Sequence, residues 1–129
     1  MRNLLMVCCL LLIASACRPK DRYVATDEMR NNIPDSVIAF DSMVDITLDI
    51  HLAEAWSNES KTDSLSKDER LKQYYGQIFG LHQVSSERYK RSYQYYVAHP
   101  ILMQDIYTRV TEKLTILESE QSRIKKPTQ

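Results

Sequence analysis

Glycine, cysteine and proline are scarce in this chain of 129 residues, and each shortage removes a class of protein. Its two glycines, Gly76 and Gly80, cannot supply a phosphate-cradling loop or the Gly-x-Ser-x-Gly elbow of a hydrolase, which argues against nucleotide binding and acyl transfer through those motifs. With two glycines and four prolines, the turn density of a β-sandwich or barrel is missing as well. All three cysteines, Cys8, Cys9 and Cys17, fall at the N-terminus, so the body holds no disulfide and no cysteine metal site. His51, His82 and His99 lack the spacing of a zinc-binding pair, and no metal or other cofactor is expected. Charge of one sign is lacking too: 17 Lys+Arg face 17 Asp+Glu, which leaves no electrostatic footprint for nucleic acid or an anionic membrane. No apolar run reaches the length of about 20 residues that a spanning helix needs.

The apolar run that is present, Leu4 to Ile13, has ten residues and follows Arg2, as in a secretory signal. Ala14-Ser15-Ala16 then stands directly before Cys17, an order that resembles a lipobox, with Ala14 where Leu is usual. Conventional cleavage after Ala16 would use the same small residues and leave Cys17 as a free thiol. A lone cysteine at that place favours lipidation, so residues 1–16 are read as a lipoprotein signal peptide and Cys17 as the lipid acceptor. Several acyl chains, at about 0.8 kcal/mol per buried methylene, make such an anchor effectively permanent. Arg18-Pro19-Lys20-Asp21-Arg22 lacks the acidic run of a surface-export signal, which points to the periplasmic face of the outer membrane.

Removing 16 of 129 residues leaves 113, enough for one domain. Residues 17–36 are polar, with Asn31-Asn32 and Pro34 as breakers, and read as a tether; about 20 coil residues would extend roughly 25 Å. Residues 37–122 form the helical domain and 123–129 a tail. Within Asp41 to Trp56, Val44, Ile46, Leu48, Ile50 and Leu52 alternate as in a half-buried strand, whereas Met43, Val44, Thr47, Leu48, His51, Leu52 and Ala55 recur at helical spacing. The Leu52-Ala53-Glu54-Ala55 run decides for helix. Ser57 to Ser66 carries no apolar period and predicts a mobile loop. Ser66-Lys67-Asp68-Glu69 is a capping-box pattern, the stripe Leu71, Tyr74, Tyr75, Ile78, Phe79 follows, and Gly80 suits a left-handed C-terminal cap. Ser85 or Ser86 opens a third helix that stops at His99, because Pro100 disfavours helix before it yet fits the first turn of a fourth. That last helix, with Met103, Ile106, Tyr107, Val110, Leu114 and Leu117, runs to about Ser122. The fold class is all-α, a small bundle of about four helices.

Eight tyrosines, seven of them between Tyr74 and Tyr107, are the most unusual feature present. Most lie on apolar stripes where a ring is buried with its hydroxyl at the boundary. The adjacent pair Tyr95-Tyr96 crowds one helix face, which suggests a partner surface made by Tyr89, Tyr93, Tyr95 and Tyr96. Asp45, Asp49 and Glu54 around His51 are conceivable as an acid/base group, but acids at helical spacing usually form a solvated face, and no enzyme is expected.

Ile33-Pro34-Asp35, Met43-Val44-Asp45-Ile46 running into Asp49-Ile50-His51-Leu52-Ala53-Glu54-Ala55, Tyr74-Tyr75 with Ile78-Phe79, Val84-Ser85, Tyr95-Tyr96 with His99-Pro100, and Ile106-Tyr107 together resemble a Bacteroidota lipoprotein family, domain of unknown function 4296. The resemblance spans roughly residues 33 to 117 and implies a small helical lipoprotein without assigned activity or catalytic residues. The expected function is therefore a lipid-anchored, non-enzymatic binding or assembly factor of the cell envelope, meeting a membrane through its anchor and an envelope protein or peptide through its surface. The alternative is a structural subunit of a larger envelope complex.

Overall fold

The segment whose apolar residues fit both a strand and a helix is a helix, and most of the packing between helices is built on it. The computed structural model describes residues 24–59 and 65–124, and every regular element among them is helical. The order is α1 (Asp27–Asn31), α2 (Phe40–Glu59), α3 (Lys67–Leu81), α4 (Ser86–Val97) and α5 (Pro100–Ile124). Helix α2 packs against both α3 and α5, and α4 packs against α5. A helix covered on two sides needs a wide apolar face, which is why Val44, Ile46 and Ile50 are all buried along with Phe40 and Met43. The alternation that mimics a strand arises from that width.

Local chemistry sets the helix ends. Thr26 caps α1 by accepting a hydrogen bond from the Met29 amide. The Ser66 hydroxyl accepts from the Glu69 amide while Glu69 Oε2 accepts from the Ser66 amide at 2.9 Å, completing the capping box of α3. Ser85 caps α4 through the Arg88 amide, and Pro100 occupies the first position of α5, where a missing N–H costs nothing.

Gly80 does not terminate α3 in the way its position suggests. No glycine adopts a positive φ among the described residues; the left-handed residue is Gln83, at φ 53°. Around it the Val84 amide donates to the Phe79 carbonyl at 2.9 Å and the Gln83 amide to the Gly80 carbonyl at 3.2 Å. These two bonds are those of a Schellman motif with Gln83 as its left-handed residue, and half-buried Phe79 and Val84 supply the apolar contact that accompanies it. Packing of Phe79 on the core carries the helix past Gly80, so the reversal falls three residues later.

Two boundaries also differ from expectation. Helix α2 continues to Glu59, and Ser57 is 1% exposed rather than part of a solvated loop. Arg70 explains this: its guanidinium donates to the Ser57 carbonyl at 3.2 Å and to the Leu65 carbonyl at 2.6 Å. A buried cation thereby satisfies a terminal carbonyl of α2 and faces the negative end of its dipole. The tether, in turn, does not extend to residue 36. Ala25 is buried, Asp27–Asn31 is helical, and Met29 and Ile33 pack against the core.

The stretch between α1 and α2 is held on α4 by side chains. Ser92 Oγ accepts from the Ile38 amide at 2.9 Å, the Tyr96 hydroxyl donates to the Ile38 carbonyl at 2.7 Å, and Arg88 donates to the Asp35 carbonyl at 3.2 Å. An irregular segment with no helical partners of its own obtains them from α4. Helix α1 is fixed by Arg30, which pairs with Asp105 of α5 at 3.0 Å. Arg30 and Arg109 also stand 5.7 and 5.5 Å from the centre of the Phe40 ring. Helix α5 outruns its partners: beyond Val110 only Leu114 is half-buried, and the remaining turns project from the bundle.

Candidate functional site: an aromatic cleft

Four helices contribute to a cleft of about 260 Å³. Helix α2 supplies Thr47 and Ile50, with His51 and Glu54 one turn further on. Helix α3 presents Tyr75 and Phe79, helix α4 presents Tyr89 and Tyr93, and helix α5 closes the cleft with Tyr107. Each aromatic pair is spaced i, i+4, so one helical turn brings both rings to the same face. The short turn between α3 and α4 then brings the two pairs together at Phe79 and Tyr89.

The rings form a continuous series. Centroids are 6.3 Å apart for Tyr75 and Phe79, 5.0 Å for Phe79 and Tyr89, and 6.2 Å for Tyr89 and Tyr93. Tyr93 interacts with Tyr107, whose ring lies 5.9 Å from that of His51. His51 Nδ1 stands 3.8 Å from Glu54 Oε2, and Glu54 Oε1 accepts a hydrogen bond from the Tyr75 hydroxyl at 2.8 Å. The series therefore returns to its start, a closed circuit of side chains around one cleft.

The circuit is electrostatically uniform. Burial, then the hydrogen bond to Glu54 and its charge, pushes Tyr75 up to about 12. Burial, then the neighbouring Tyr93, Tyr107 and Tyr75 hydroxyls and Glu54, pushes Tyr89 to about 12 as well. Tyr107 is raised by burial first and by Tyr93 and Glu54 after it. All these groups stay neutral phenols near pH 7, and Glu54 is the one carboxylate of the wall.

The four tyrosines singled out from the sequence divide between three environments. Tyr89 and Tyr93 line the cleft. Tyr96 is 0% exposed and belongs to the core, where its ring meets Phe40 edge-on at 6.4 Å. Tyr95 lies outside the cleft, stacked on His99 at 4.1 Å beside Leu102 and the α1 residues Glu28 and Met29. Adjacency in sequence misled here, because neighbours on a helix point about 100° apart. The missed members, Tyr75, Phe79 and Tyr107, are signalled by the i, i+4 pairs on consecutive helices.

Of the acids near His51, only Glu54 stands beside it, at 3.8 Å. Asp45 pairs with Lys113, Asp49 Oδ2 lies 2.7 Å from His82 Nε2, and Glu54 holds Tyr75. They join α2 to α5 and to α3. Among the described residues no cluster of His, Cys, Asp or Glu could hold a metal ion, and no helix is long and apolar enough to cross a membrane. Cys17 lies outside the described residues.

Fold and site together define a small all-α domain with an aromatic cleft between its helices. The chain belongs to the family described as Domain of unknown function (DUF4296), whose model matches residues 34–120. That span begins within the stretch held by Ser92 and Tyr96 and includes every wall of the cleft. No curated protein and no solved structure matches the chain.

Proposed function

We propose that this protein is a lipid-anchored factor of the cell envelope that binds a partner, without catalysing a reaction, through the aromatic cleft. Cys17 would carry the acyl chains, and the anchor would lie on the periplasmic face of the outer membrane. The observation that carries the binding role is the closed circuit of aromatic side chains around a solvent-open cleft. Rings so placed offer large contact area at little cost in conformational entropy. The non-enzymatic reading is supported by Asp45, Asp49 and Glu54, which are engaged by Lys113, His82 and Tyr75.

The test combines location and binding. Cys17→Ala is expected to release the protein from membranes into the soluble periplasmic fraction, and retention on membranes would refute the anchor. Tyr93→Ala, with Tyr107→Ala as a second variant, is expected to lose whatever the anchored wild-type protein captures, and unchanged capture by both would refute the cleft. A second reading, a structural subunit of a larger complex, draws on the exposed Ile116, Leu117 and Ile124 along the projecting part of α5. A stable monomer in solution would count against it.

A further inference from the structure

We infer that the aromatic cleft receives the side-chain ammonium group of a lysine presented by a partner peptide. The inference rests on the cleft-binding role proposed above and specifies its ligand.

Size sets the first constraint. A cleft of about 260 Å³ has room for the end of one side chain, and a cation drawn against one of its rings comes within the ~6 Å over which aromatic rings attract it.

Charge sets the second. No lysine or arginine lines the cleft, whereas Glu54 does, and its negative charge is felt by Tyr75, Tyr89 and Tyr107, whose hydroxyls it helps keep protonated. Cations elsewhere in the bundle are engaged: Arg30 by Asp105, Lys113 by Asp45, Arg70 by backbone carbonyls. The wall therefore carries one carboxylate and no lysine or arginine, and the imidazole of His51 stands 3.8 Å from that carboxylate.

Hydrogen bonding sets the third and selects lysine. A primary ammonium carries three N–H donors that must find acceptors once water is displaced. Glu54 Oε1 accepts from the Tyr75 hydroxyl, and Oε2, 3.8 Å from His51 Nδ1, has lone pairs left for a further donor. The hydroxyls of the cleft tyrosines and of Thr47 have lone pairs to accept the other two. The aliphatic stem of lysine would lie along the rings of Phe79 and Tyr89, as lysine stems do on apolar surface.

The experiment is a titration of the folded, soluble chain, followed by aromatic and methyl NMR signals, with N-acetyl-lysine methylamide and with its Nε-acetylated counterpart. The two probes share shape and differ in charge. The charged probe is expected to shift the cleft ring signals saturably and to bind about tenfold tighter than the acetylated one. Glu54→Gln should abolish most of that preference, while Tyr93→Phe, which keeps the ring, should retain it. Equal binding of the two probes, or a preference unaffected by Glu54→Gln, would overturn the ammonium inference and leave the cleft as a binding site for another ligand. Failure of both probes to shift any cleft signal, in a chain whose capture still depends on Tyr93, would overturn the inference in the same way.

Discussion

Tyr96 shows how one side chain can serve packing and hydrogen bonding together. Its ring is fully buried, and its hydroxyl donates to the carbonyl of Ile38 in the segment before α2. Tyr96→Phe keeps the ring and leaves that carbonyl without its partner, so a loss of about 1–3 kcal/mol is expected in urea unfolding with an unchanged slope. The cleft tyrosines predict a pH dependence. Tyr75 and Tyr89 are raised from 10.0 to about 12 in the folded chain, so the unfolded chain releases their protons first. The contribution of these groups to stability is complete below pH 10 and is lost as pH rises towards 12. Unfolding free energy measured across that range should fall, and Tyr75→Phe should make the fall shallower. Neither residue's role is visible from its type alone: the same stripe of tyrosines yields a core residue at Tyr96, a cleft wall at Tyr93 and an outside face at Tyr95.

The end of α3 is the element whose chemistry differs most from its sequence appearance. Gly80 lies within the helix, and a Cβ added there would meet nothing within 4 Å. Gly80→Ala is therefore expected to raise stability by about 0.5–1 kcal/mol through helix propensity. A left-handed glycine at that place would give the opposite sign. Gln83 holds the strained conformation, and Gln83→Gly should likewise raise the thermal midpoint, whereas Gln83→Val should lower it. The other helix starts were legible because caps are local: Ser66 with Glu69, Ser85, and Pro100 all act within one turn of themselves. The C-terminus of α3 was not, because it depends on where Phe79 finds the core. The same holds for α2, whose last turn persists because Arg70, thirteen residues away, reaches the Ser57 carbonyl.

At the scale of the whole molecule, α1 is joined to α5 by a buried ion pair. Asp105 is 4% exposed, and Arg30 is its close partner, with Arg109 Nε more distant at 3.8 Å. Arg30→Met is expected to cost about 3 kcal/mol, because it strands a buried carboxylate. The double variant Arg30→Met with Asp105→Leu should recover most of the loss, since a buried pair replaced by apolar groups is often neutral. Chemical unfolding of the single and double variants separates the two contributions. A recovery would also show that α1 is held by packing of Ala25, Met29 and Ile33 once the charges are gone.

The sequence by itself determined the helical class, the starts of α3, α4 and α5, and the family. Helical periodicity and capping are short-range physics, written within a few residues of where they act. Only the tertiary structure decided that residues 24–36 pack against the bundle, that Asp45 and Asp49 pair with other helices, and which tyrosines meet. Those outcomes depend on contacts between residues as far apart as Arg30 and Asp105 or Glu54 and Tyr107, and no local pattern encodes them. The scarcity of glycine, which excluded phosphate loops at the outset, also proves misleading about its one apparent cap: at the end of α3 the left-handed residue is a glutamine, because core packing outweighs the local preference for glycine there.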